Sequence, residues 1–131
     1  MPIEIKMLGA TLILACVQIG IAAQARTKQY GRDWNLSARD AEMPPLSPLA
    51  GRLLRAQANL FETLPLFIGA LLACVATNRL GRLTEIGSIL YFVGRVAFVP
   101  LYAAGVAGWR TAVFIVALVG LIMILWALMV G

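Results

Sequence analysis

The chain has 131 residues, of which 61% are hydrophobic and 13% charged, with a net charge of +5 and a mean hydropathy of +0.87. Soluble domains carry about a quarter charged residues, so this composition excludes an ordinary soluble fold and points to one small integral membrane domain spanning residues 1–131. The positive charge does not indicate nucleic acid, because most basic residues sit just outside apolar segments, where membrane proteins keep topology-setting residues.

Four apolar segments follow in chain order, at about 5–25, 49–76, 86–104 and 109–130. Each has the roughly 20 residues needed to cross the hydrocarbon layer. Backbone groups must be paired in lipid, and the alternation of a barrel strand is absent, so the segments are expected to be helices. The first resembles a signal peptide only at Ala22-Ala23-Gln24-Ala25; its apolar core is too long for one. Residues 26–48 form the one long connection, ending in the stiff Met43-Pro44-Pro45-Leu46-Ser47-Pro48 approach to the second span. The later links, around 77–82 and 105–108, are short, which predicts an up-down four-helix bundle. Cys16 and Cys74 lie inside apolar runs and there is no histidine, so neither a metal site nor a disulfide framework is expected.

Arg26, Lys28, Arg32, Arg39, Arg52 and Arg110 fall on the side of the long loop, and Lys6, Arg79 and Arg82 on the other. Positive-inside reasoning therefore puts loop 26–48 in the cytoplasm and both termini outside, in a bacterial inner membrane.

The second span carries an unusual polar cluster in the stretch RAQANLFETLPLF, residues 55–67. On a helix, Arg52, Arg55, Asn59 and Glu62 share an arc of about 80°, while Gln57 points away. Tyr91, Arg95 and Tyr102 share a face of the third span within about 40°. Pro65 and Pro100 are expected to bend their helices. Charges in membrane helices cost about 2.5–3.5 kcal/mol each on insertion scales, so these groups are expected to face one another or a wet cavity. Arg26, Arg55, Arg95 and Arg110 outnumber Glu62, taken as the single buried acid; such a pocket suits an anionic ligand that also carries an ammonium group. The competing reading is an interhelical clasp in which Glu62 pairs with Arg55 or Arg95. Tyr91 and Tyr102 also fit as aromatics of the membrane interface, as do Trp109 and Trp126.

The run Arg55-Ala56-Gln57-Ala58-Asn59-Leu60-Phe61-Glu62-Thr63-Leu64-Pro65 resembles the second-helix signature of the MAPEG family, membrane-associated proteins in eicosanoid and glutathione metabolism. Four spans, a charged first loop, and Arg95 followed by Tyr102 extend the resemblance over nearly the whole chain. Arg110-Thr111 looks like the Arg-Ser pair of the prostaglandin E synthase branch, and Arg26 like the arginine that closes the first helix in the leukotriene-C synthase branch. The resemblance implies a homotrimer holding glutathione between subunits near the cytoplasmic side. It implies that Arg55, Asn59 and Glu62 bind the peptide, with Glu62 at its ammonium group. Arg26 and Arg95 would hold its carboxylates, and Tyr102 would lie near its cysteine. Arg110, beside Thr111, would stabilise the thiolate, since a nearby cation lowers a thiol's pKa. The sequence departs from the family at Phe98, where a histidine or tyrosine is common. It departs again at Ala58, an arginine in one branch, and at Thr63, a tyrosine in another.

The leading expectation is a glutathione-dependent membrane transferase or peroxidase acting on hydrophobic electrophiles or lipid hydroperoxides. The alternative is a non-catalytic relative of the same fold that binds a lipid or a partner. A small multidrug exporter has similar length and one membrane carboxylate. Here, however, the glutamate lies in the second span among arginines that repel a cationic drug.

Overall fold

The computed structural model describes all 131 residues and contains five α-helices and no strands. They are α1 (Ile3–Tyr30), α2 (Arg32–Leu36), α3 (Pro48–Ala76), α4 (Arg82–Ala103) and α5 (Ala107–Val130). All but α2 are long and apolar enough to cross a membrane.

Local chemistry sets the boundaries. Helix α1 runs past Ala25 to Tyr30 and stops at Gly31, whose φ of +95° lies in the left-handed region that glycine adopts at little cost. Ser47 caps α3 by accepting from the Ala50 N–H at 3.2 Å, and Pro48 takes the first helical position, where its missing N–H costs nothing. Helix α4 starts at Arg82, four residues before the hydropathy signal at Ile86. Gly81 has no side chain to cap with; instead the Thr84 hydroxyl accepts from the Gly81 N–H at 2.8 Å. The helices continue through Pro65 and Pro100.

The segment read as a loop, 26–48, is more ordered than that. Its first five residues belong to α1, and α2 follows directly. Tyr30 stacks edge-on against Trp34 at 4.8 Å. The extended approach to α3 is strapped to the end of α1: Gln29 Nε2 donates to Pro45 O at 2.9 Å, Ser47 N donates to Gln29 Oε1 at 2.7 Å, and Tyr30 Oη donates to Pro44 O at 2.6 Å. These bonds place the start of α3, and so Arg52 and Arg55, at the loop end of the bundle.

The core stripe of α3 is Ala56, Leu60, Leu64, Phe67, Leu71 and Cys74. Its helical partners α1, α4 and α5 cover it. In α1 the buried residues are Glu4, Leu8, Thr11, Ala15, Gln18 and Ala22, alternating steps of four and three, the seam of a coiled-coil-like contact. Helices α4 and α5 approach most closely where Gly87 meets Gly120; a Cβ on Gly120 would collide with the Gly87 carbonyl oxygen. Glycine there lets the two backbones touch, the usual device for packing helices in lipid.

Tyr91 is not an interfacial aromatic. It is buried, stacks on Phe67 with ring centroids 4.1 Å apart, and shares a 2.8 Å hydrogen bond with Thr63 Oγ1. Trp109 and Trp126 are exposed at opposite ends of α5, as interface-belt residues are.

Candidate functional site

Helices α3, α4 and α5 bring most of the expected polar residues together at the loop end. Arg95 is 1% exposed. Its Nη1 donates to Asn59 Oδ1 at 2.7 Å, and its guanidinium carbon lies 4.3 Å from the centroid of the Phe98 ring. The other two nitrogens, Nε and Nη2, are buried with no hydrogen-bond partner. A guanidinium that spends two donors on nothing in a low-dielectric interior is costly, by about 1–3 kcal/mol or more for a charged group.

Tyr102 lies between two further arginines. Its Oη accepts from Arg55 Nε at 3.2 Å, and Arg110 sits 4.7 Å from its ring centroid. Asn59, Phe98, Tyr102, Arg110, Thr111 and Phe114 line a cavity of about 270 Å³ with no carboxylate in its wall. The Thr111 hydroxyl donates back to Ala107 O at 3.1 Å. A second cavity of about 500 Å³ lies on the far side of Arg55, walled by Tyr30, Pro45, Pro48 and Leu54.

Two expected members stand apart. Arg26, in the last turns of α1, packs over Trp34, 5.4 Å from its ring centroid, with Nε unpartnered, and stands apart from the Tyr102 cluster. Glu62 is exposed, so it is not the buried acid of the chain. The reason is angular. The shared arc straddles the edge of the α3 core stripe. Arg52 and Asn59 lie about 80–100° from Leu60 and reach inward, whereas Arg55 and Glu62 lie about 140–160° from it and face out. The arc is real, but it does not all point at the interior of one chain.

One residue of the polar framework lies outside the sequence expectation, and one, Arg52, has a partner that the expectation did not name. The buried acid is Glu4, 2% exposed, whose Oε2 accepts from the Thr84 hydroxyl at 2.6 Å at the end of the bundle remote from the Tyr102 cluster. The seven-residue spacing of Glu4, Thr11 and Gln18 is the available signal, because it puts three polar groups on one α1 seam. Arg52, expected both among the loop-side basic residues and in the polar arc of the second span, donates from Nη1 to Ala103 O at 3.4 Å. Its guanidinium crosses Gly105, where φ is +74° and a Cβ would come within 3.1 Å of the guanidinium carbon. It thus ties α3 to the negative end of α4.

Four helices long and apolar enough to cross a membrane, with a cavity lined by Arg110 and three aromatic rings at one end, define an integral membrane protein. A profile of the MAPEG family matches residues 7–130, and the chain belongs to that family. Membership supports a glutathione-related role at the membrane in general terms, since MAPEG proteins generally use glutathione. No curated protein and no solved structure matches the chain.

Proposed function

We propose that this chain is a glutathione-dependent membrane transferase or peroxidase, acting on a hydrophobic electrophile or a lipid hydroperoxide that reaches the site from the bilayer. The observation that carries the reading is Arg95, buried beside the cavity with two unused donors. A carboxylate of glutathione supplies the acceptors those nitrogens lack, with Asn59 holding the guanidinium in place. Arg55 and Glu62 add a cation and an anion on the outward face, the latter for the ammonium group. Tyr102 closes the space near the cysteine. Arg110, with Thr111 beside it, stabilises the thiolate; Phe98 and Phe114 offer the apolar wall for the second substrate.

One chain does not complete this site. A volume of about 270 Å³ is below the range of roughly 300–1,000 Å³ usual for ligand pockets, and Arg55 and Glu62 face out of the bundle. A second copy against the outer face of α3 would join the cavities on either side of Arg55, bring an Arg26 from the end of its own α1, and cover Glu62. The assembly proposed is a homotrimer of single-domain subunits in the inner membrane, with the loop end in the cytoplasm.

Titrating glutathione calorimetrically into the detergent-purified protein tests this, with Arg55→Ala as the control. Saturable binding that the control loses supports the reading; no binding at millimolar glutathione contradicts it. Arg110→Ala then separates enzyme from binder. It abolishes turnover and leaves glutathione bound if Arg110 stabilises the thiolate.

A further inference from the structure

The end of the bundle remote from the Tyr102 cluster holds a second cationic cavity, of about 390 Å³, between the α3–α4 link and the last turn of α5. Arg79 and Arg82 stand in its wall with Asn78; Leu83, Trp126 and Val130 supply the apolar side. No acidic side chain lines it. Glu85 is exposed one turn further along α4, Glu4 is buried and held by Thr84, and Gly131 enters the wall through its backbone. The hydrogen bonds at this end use neither guanidinium: Arg79 N donates to Cys74 O at 2.8 Å, Gly81 N donates to Thr84 Oγ1 at 2.8 Å, and the Thr77 hydroxyl donates to Ala73 O at 2.7 Å. Both guanidinium groups are left on exposed residues, free to take an external anion.

Depth fixes what kind of anion. Trp126 is 62% exposed on the last turns of α5, the position of an interfacial aromatic, so the cavity opens at headgroup level. Arginine recognises phosphate through paired donors in a planar fork, and two arginines side by side hold one phosphodiester from two directions. The apolar half of the wall has no use for a small hydrated ion. It matches the glycerol and first methylenes of a lipid, with Trp126 and Val130 against the chains. We propose that this cavity is a headgroup site for an anionic phospholipid, held by Arg79 and Arg82 and flanked by Trp126.

Trp34 and Trp109 both lie at the opposite end, so replacing them with Phe leaves Trp126 as a fluorescent reporter at the cavity. In nanodiscs, lipids brominated near the top of the acyl chain quench a tryptophan they touch. The expected result is that brominated phosphatidylglycerol quenches Trp126 at a several-fold lower mole fraction than brominated phosphatidylcholine. Arg79→Gln with Arg82→Gln removes that preference, at roughly fivefold per arginine. Lys28→Gln with Arg32→Gln, the same charge loss at the other end, leaves it unchanged. Equal quenching by the two lipids, or a preference that survives the double arginine variant, overturns the proposal. So does a preference lost equally in the Lys28/Arg32 variant, which reduces the effect to overall charge. If excess inorganic phosphate abolishes the preference, the arginines serve a free anion and the lipid assignment fails. Native mass spectrometry of the unaltered chain checks the same preference without any substitution: more phosphatidylglycerol than phosphatidylcholine retained supports the site, and equal retention overturns it.

Discussion

The two ends of the bundle bury polar groups in opposite ways. At the Gly81 end, Glu4 and Thr84 satisfy one another and the backbone, below a stretch where Gly87 and Gly120 let α4 and α5 touch. At the loop end, Arg95 is as deeply buried but half-used: Asn59 occupies one nitrogen, and two have no partner. A polar group closed into its surroundings stabilises a fold, whereas one left open in a low-dielectric interior costs free energy until a further partner supplies the missing bonds. Burial alone does not separate the two; the state of the hydrogen bonds does.

The largest break in this comparison is expected at the closed end. Gly120→Leu drives a side chain into the Gly87 backbone and Leu90, and overpacking of this kind costs about 1–3 kcal/mol or more. Thermal unfolding in detergent should fall by several degrees, whereas Gly108→Ala, with nothing near its Cβ position, leaves it unchanged. Arg95→Met comes next and sharpens the contrast. It should weaken glutathione binding by at least about tenfold, as loss of a charged hydrogen-bond donor does. Stability should hold or rise, because an under-bonded buried cation has been replaced by an apolar side chain of similar length.

Thr84→Val should do the reverse. It leaves Glu4 without its donor, a loss of about 1–3 kcal/mol in stability, while glutathione affinity stays within about twofold by calorimetry. The smallest effect is expected for Tyr102→Phe. It removes the acceptor for Arg55 Nε but keeps the ring that Arg110 packs on. A fall in glutathione affinity of about two- to tenfold, without a change in unfolding temperature, is the outcome to look for.

The four spans are legible in the sequence because each crosses the hydrocarbon layer on hydropathy alone. The Arg55–Glu62 arc is legible because helical spacing is fixed. Which side of that arc meets the core is not, since apolar residues flank it on both sides; only packing shows that Asn59 turns in while Glu62 turns out. The burial of Glu4 is hidden for a related reason. An acid immediately before an apolar run reads as an interfacial charge, and only the approach of Thr84 from α4 makes it interior. The arc includes Arg52 as a group in need of a partner, but helical spacing cannot show that its guanidinium reaches the Ala103 carbonyl 51 residues away.

If the two unused nitrogens of Arg95 are the ligand-facing part of a glutathione site, the arginine is held open for substrate and not for the fold. Titrating glutathione into the unaltered protein and into Arg95→Met, with both unfolding temperatures measured alongside, tests this most directly. Saturable binding in the first, lost in the second at equal or higher stability, is the predicted result. Equal binding in both proteins, or a variant whose unfolding temperature collapses as it would for a structural clasp, would contradict it.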